Sequence, residues 1–441
     1  MTFDLPMNEP SPVGQTSTAR MEMELDRKGK AVVWVSVISP LFLSQIAYNM
    51  GTFPVSADLL SYALFTSYLL VSGYVSLSLW SLLLLVGAIA LAAFRMSFSD
   101  TSGTWTSLLL LSALYVPFCF RLKSVHDPQP VQDYIQRTFV SAATVIAVIS
   151  IIQIVAVNAV KSPFITNIHF VLPDAIRSEG AYTYSREGAG LIKANGFFLR
   201  ESSTLSLVMA LAIILEYCTK ARWHVLGILA GGLVSSFSGS GVIGIMAGIL
   251  LPRSLARIPV FVACLVGVVV VLFTLYSADI PYLDVWLNRL DEFTMPNTSA
   301  YARFVAPLDM IAHSFDDGFF STWLGNGAGS YLREIGLLKV KYEVNDPTWA
   351  KLIYEYGLLG FMLVLSVFVL RLHSSDLRVE ACNYFLFTWL VSGQLLKPEF
   401  AVIVWLLTLA QKRLRRSGVA RPVTATRLPL HRGAMRPMKM A

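Results

Sequence analysis

Gly325–Val344 reads GNGAGSYLREIGLLKVKYEV, Asn345–Gly360 continues it as NDPTWAKLIYEYGLLG, and an apolar run follows at once. The stretch closes the longest polar interval in the chain, which runs from about Asp279 to Tyr356. What surrounds it is almost all membrane-like. Of 441 residues, 55% are hydrophobic and only 14% charged, and the mean hydropathy is +0.60. Those values describe an integral membrane protein and exclude a soluble domain with a large core. A glycine-rich, charged interval that opens into a span is therefore the candidate active face.

Outward from this stretch, apolar runs recur over residues 31–411, about twelve in all, several of them shorter than the roughly 20 residues of a straight crossing. The expected fold is all-α, a single polytopic domain of about 12 transmembrane helices with some helices broken or sheltered by neighbours. Residues 222–252 are interrupted by SSFSGSG at Ser235–Gly241 and read as two short passes meeting there. Two passes also place Lys220/Arg222, Arg253/Arg257, Arg371/Arg378 and the chain end on the side of Arg20, Arg27, Lys28 and Lys30, which the positive-inside rule makes cytoplasmic. Two long segments, 159–202 and 278–356, then fall on the outer, periplasmic side. Residues 1–30, with Pro6, Pro10 and Pro12, read as a disordered cytoplasmic leader without a signal peptide. Residues 412–441 read as a basic cytoplasmic tail. The formal charge of +7 gathers in that tail, which points to anionic membrane lipid and not to nucleic acid. Cys119, Cys218, Cys264 and Cys382 lie in apolar runs with no CxxC, so neither a disulfide framework nor a metal site is expected.

The outer segments carry the candidate chemistry. Arg200 and Glu201 precede a span directly, and a cation at a helix start is electrostatically disfavoured unless it has another purpose. Arg289 and Arg303 lie in the later segment, where guanidinium groups offer bidentate contacts to phosphate and solvated loop charge is the plainer reading. Gly325, Gly327 and Gly329 alternate in a pattern that can present backbone N–H groups to an anion or simply make a tight turn. Asp346 before Pro347 reads as an N-cap followed by proline at the first helical position, and a carboxylate there is also placed to accept a hydroxyl proton. Lys351 and Glu355, at i and i+4, read as a surface ion pair that also reaches the substrate side. Gly357 and Gly360 permit close helix packing.

Asp346–Gly360, preceded by GNGAGSYL, resembles the motif of the O-antigen polymerase and O-antigen ligase superfamily, a His-Asn pair set before Gly-x-x-Gly. Asp346 occupies the histidine place and Pro347 the asparagine place, while Glu355–Gly360 match well. Gly196–Ser203 is similar to a second family stretch, with Ser202 in a proline place. Ser236–Gly241 is similar to a third, with Gly239 in an arginine place. These departures are most like the exopolysaccharide repeat-unit polymerase branch. The resemblance implies a GT-C-like, metal-independent glycosyltransferase without a cofactor. It would move a glycan from an undecaprenyl diphosphate carrier to the end of another lipid-linked repeat unit, at the periplasmic face of a bacterial inner membrane. Asp346 and Arg303 would then be catalytic, with Arg200, Glu201, Arg289, Lys351 and Glu355 binding substrate. A flippase and a chain-length regulator are the partners it implies.

Two other readings use the same composition. Ligase-type transfer differs only in acceptor. A twelve-span transporter or flippase would carry charges along a pathway within the spans, and here the apolar runs hold few.

Overall fold

The computed structural model describes residues 27–50, 53–98, 102–123, 129–160, 162–178, 192–251, 301–337 and 345–411, with scattered positions between 258 and 298. Residues 1–26 of the leader, most of the run at 258–277, Arg289 and the basic tail lie outside the described residues, and the last four residues of the leader already belong to the first helix.

Apolar runs become helices because in hydrocarbon only a helix satisfies its own backbone. In chain order they are α1 (Arg27–Phe42), α2 (Ala57–Val71), α3 (Leu79–Phe98), α4 (Trp105–Tyr115), α5 (Gln129–Val160), the single turn α6 (Pro163–Thr166), α7 (Ser202–Thr219), α8 (Trp223–Ser235) and α9 (Gly239–Leu250). Within the later polar interval lie α10 (Ala306–Asp316), α11 (Phe319–Leu324) and α12 (Ser330–Leu337); α13 (Thr348–Ser374) begins at its end, and α14 (Val379–Val391) and α15 (Pro398–Leu407) follow. Two short antiparallel pairs lie between helices: β1 (Ala47–Met50) and β2 (Phe53–Ser56) turn the chain from α1 to α2, and β3 (Val75–Leu77) before α3 pairs with β4 (Phe120–Leu122) after α4.

Four helices, α3, α5, α7 and α13, are long and apolar enough to cross a membrane. The other apolar runs among the described residues form helices of 10–17 residues. Among the described residues the expected twelve crossings are thus not matched by twelve full-length helices. The interruption at 235–241 does divide its run: α8 and α9 meet at Ser236–Ser238, where Phe237 takes a positive φ of 45°.

Small residues set the crossings, as expected where lipid removes the hydrophobic drive between helices. A Cβ on Gly232 of α8 would lie 2.8 Å from Ala147 Cβ of α5. The centre is aromatic: Phe368 of α13 stacks on Trp389 of α14 at 4.3 Å, and Tyr62 of α2 meets Trp405 of α15 edge-on at 5.2 Å. Both indole N–H groups find acceptors, Tyr115 Oη and the Pro117 carbonyl, each at 2.7 Å, as buried tryptophans require.

One end of the bundle gathers the start of α1, the start of α5 and the end of α15. Tyr134 Oη donates to the Lys30 carbonyl (3.4 Å) and Gln132 Nε2 to the Leu407 carbonyl (2.6 Å). Arg371 belongs to this end but is no surface cation. It is 1% exposed and donates to Thr408 Oγ1, the Phe120 carbonyl and the Trp405 carbonyl. Sequence counts it among the inside charges; the fold uses it to tie three elements at a helix C-terminus, where a cation is favoured.

Candidate functional site

The quoted stretch is the hub of the opposite side of the molecule. α13 is not one helix but two joined at Gly357, whose φ/ψ of 67°/−179° is open only to glycine. Such a kink strands backbone carbonyls inside the protein, and buried carbonyls need donors. The glycine loop supplies them: Asn326 N–H donates to the Tyr354 carbonyl (2.9 Å) and Gly327 N–H to the Glu355 carbonyl (3.0 Å). Gly325 and Gly357 pack back to back, and a Cβ on either would lie within 2.5 Å of backbone atoms across the contact. Arg95, from within α3, donates through Nε to the Gly325 carbonyl at 2.8 Å. Thr104 N–H, at the start of α4, donates to the Ala328 carbonyl at 2.7 Å.

The alternating glycines do approach an anion, and it is the chain's own. Glu355 is 0% exposed, and the backbone amides of Gly329 and Tyr331 face its carboxylate. Neither carboxylate oxygen closes a hydrogen bond of good geometry, so the approach is electrostatic more than directional. Glu355 is therefore a buried anchor within the fold, out of reach of a bound substrate. Lys351 is 6% exposed, and it does not form the surface pair with Glu355 that the spacing predicts. Its Nζ turns back to Asp346 Oδ2 at 3.1 Å while its charge also acts on Glu355. Burial explains the change: an ammonium taken out of water needs every anion in reach.

Asp346 itself is not the helix cap. Pro347 holds that position and makes no side-chain cap bond, so the Asp346 carboxylate is shared between Lys351 and solvent. Its side chain is 35% exposed, far more open than its lysine partner. The neighbouring backbone is clamped, since Asn345 N–H donates to the Ala302 carbonyl (2.9 Å) and Tyr331 Oη donates to the Asn345 carbonyl (3.0 Å). That first bond joins the segment before Asp346 to the π-helical turn Tyr301–Val305, which carries Arg303 with an exposed side chain. Asp346 and Arg303 are thus each one residue from a shared backbone hydrogen bond.

On its other flank Asp346 abuts the turn after α14. A Cβ on Gly393 would sit 3.1 Å from Asp346 Oδ1, and Gln394 N–H donates to Thr348 Oγ1 at 2.9 Å. From Gln394 a narrow apolar cleft of about 40 Å³ opens between α1, α7, α14 and α15. Lys397 and Glu399 add polar groups to its lining, while Leu207, Phe385 and Ile403 represent its apolar walls.

Glu399 leads to the Arg200 group. It is 8% exposed, Asp58 beside it is 0% exposed, and the Arg200 charge acts on Asp58. Arg200 Nη2 donates to the Ser44 carbonyl at 3.2 Å. Asp58 Oδ2, Glu399 Oε2 and Arg200 Nε have no hydrogen-bond partner among the described residues. Glu201 stands at the N-cap of α7 and accepts from Ser203 Oγ at 2.8 Å, a local use that fits its place at a helix start. The loop carrying Arg200 is held by Gln153 of α5, whose amide donates to the Thr166 carbonyl (2.6 Å) and accepts from the N–H groups of Asn195 (3.1 Å) and Gly196 (2.9 Å).

Asp346 and Arg303 are therefore brought together by one backbone hydrogen bond between their neighbours, and Arg200 acts on Asp58, beside Glu399 at the far side of the cleft that opens beside Asp346, whereas Lys351 and Glu355 lie behind Asp346 as support. Asp58 and Glu399 are functional candidates that sequence reading missed. Each stands in the first turn of an apolar helix, where an acid reads as satisfying the dipole, and only the fold brings the two together.

A family model described as WcaD colanic acid polymerase matches residues 34–413. No curated protein matches the chain in sequence.

Proposed function

Because the chain belongs to the WcaD colanic acid polymerase family, a family of exopolysaccharide repeat-unit polymerases, we propose that the face around Asp346 is where its repeat units are joined. The protein is a membrane-bound polymerase of glycosyltransferase type. The donor in this reading is a glycan on undecaprenyl diphosphate, and the acceptor is the terminal sugar of a second lipid-linked unit. The acceptor oxygen bonds to the donor's anomeric carbon, the bond from that carbon to the diphosphate breaks, and the acceptor proton passes to Asp346. Lys351, bonded to its Oδ2, keeps Asp346 oriented for that step. Arg303 and Arg200 meet the charge that grows on the departing diphosphate, where a guanidinium can bind two oxygens at once. The apolar cleft beside Lys397 takes the first part of the polyprenyl chain. The reaction as written draws on no metal or cofactor. It takes place on the periplasmic side of a bacterial inner membrane with both termini cytoplasmic, served by a flippase and a chain-length regulator.

The observation that carries the assignment is the exposed half of the Asp346–Lys351 pair, held one residue from the hydrogen bond that also positions Arg303. Asp346→Asn and Arg303→Ala are expected to leave the membrane level of the protein unchanged. Each should lower chain lengthening from a lipid-linked oligosaccharide by about 10²-fold or more, in line with loss of a proton acceptor or an oxyanion donor. Polymer of normal length and yield from Asp346→Asn would remove it as the base.

A further inference from the structure

We propose that the cavity at the opposite, basic end of the bundle is a binding site for a phosphate-bearing anion, separate from the polymerising face. The cavity measures about 370 Å³ and lies between the start of α5, the α7–α8 turn and the α13–α14 turn. Its cations outnumber its acids, and the acids are already engaged. Glu216 accepts from Arg222 Nε and Nη2 at 2.8 and 3.0 Å. Asp133 pairs with Arg137 at 3.6 Å, and Asp376 accepts the Gln129 amide.

Lys220 and Arg378 are left exposed at the rim, with no carboxylate bonded to either among the described residues, although the Lys220 charge also acts on Glu216. Helices α8 and α14 both begin here and neither has a side-chain cap, so their N-terminal ends add positive potential, offset in part by Glu380 in the first turn of α14 and by Glu216, which accepts the Arg222 N–H at 3.0 Å. An independent observation points to a ligand. Gln132 is 2% exposed and lines the cavity; its Nε2 is used by the Leu407 carbonyl, but its Oε1 has no hydrogen-bond partner among the described residues. A buried amide oxygen of that kind calls for a donor. The fitting ligand is thus a phosphate with a hydroxyl close by. A glycerol-bearing phospholipid headgroup supplies both, and so does a hydrated or protonated soluble diphosphate. Basic pockets between membrane helices suit such headgroups in general.

Cys218 lines the same cavity and is half-buried, whereas Cys119 and Cys382 are buried. It therefore serves as a reporter in a Cys264→Ser background. The full-length protein is placed in nanodiscs of phosphatidylcholine alone, of phosphatidylcholine with phosphatidylglycerol, or of phosphatidylcholine with inorganic diphosphate added. The rate of Cys218 alkylation by a maleimide is then measured. Slower alkylation in the phosphatidylglycerol discs identifies a lipid site, and slower alkylation with diphosphate identifies a soluble ligand. In either case Lys220→Gln/Arg378→Gln should weaken the protection about tenfold, as the loss of charge-assisted bonds predicts. Equal rates in all three discs, or protection that survives the double substitution, overturns the proposal. Both side chains are exposed, so the variant should fold; its melting midpoint in phosphatidylcholine discs checks this, and Arg378→Gln alone replaces it if the midpoint falls.

Discussion

Gly357→Ala tests whether the glycine loop and the kinked helix form one interlocked unit. The backbone at Gly357 lies at φ 67°, ψ −179°, a region that costs a non-glycine residue about 1–3 kcal/mol. The new Cβ would also stand 2.3 Å from the Trp323 carbonyl carbon and oxygen, against 3.4–4 Å for an ordinary contact. The facing strand of backbone must retreat by roughly 1 Å, which stretches the hydrogen bonds from Asn326 and Gly327. Each of those is worth about 1 kcal/mol net. The summed cost is about 3–5 kcal/mol, among the largest for a single methyl group. Gly227→Ala is the control, because a Cβ there meets nothing within 4 Å; within a helix it should stabilise by up to about 1 kcal/mol. Detergent-purified wild type and both variants are heated in steps, and the folded fraction is read by size-exclusion chromatography. Gly357→Ala should lose its midpoint by several degrees or fail to accumulate, while Gly227→Ala matches or exceeds wild type. A wild-type midpoint for Gly357→Ala would refute the interlocking.

Three further outcomes follow from the same geometry. Lys351→Met removes the cation that bonds Asp346 and acts on the buried Glu355 and should cost about 1–3 kcal/mol, with added Glu355→Gln recovering part; thermal midpoints of the single and double variants check the coupling. Gln153→Leu removes the amide that holds Asn195 and Gly196 and leaves several buried groups unpaired, at about 1–3 kcal/mol each. Hydrogen exchange should accelerate at Asn195–Phe197 before it does in the core of α5. Arg200→Ala removes the cation whose charge acts on Asp58, so Asp58→Asn in the same chain should restore part of the lost stability, read as a double-variant cycle.

The sequence by itself determined the membrane class, the helical architecture and the break at Ser235–Gly241, because hydrocarbon leaves an apolar backbone few alternatives and glycine with serine ends such a run. It also located the stretch that matters: Glu355–Gly360 are the letters that carry the family resemblance, and the structure makes them the kink. Which residues face a substrate was decided only by the tertiary structure. Spacing paired Lys351 with Glu355 on a surface, since a sequence does not show that both would be buried and that Asp346 would be the closer anion. The glycine run looked ready for a ligand's charge, yet its amides serve Tyr354, Glu355 and the Glu355 carboxylate, because a kink elsewhere in the chain had left those groups unsatisfied. Asp58 and Glu399 stand far apart in sequence, and each alone is an ordinary helix-start acid. Their meeting beside Arg200 depends on how α2 and α15 pack, which is a property of long-range contact and not of any local pattern.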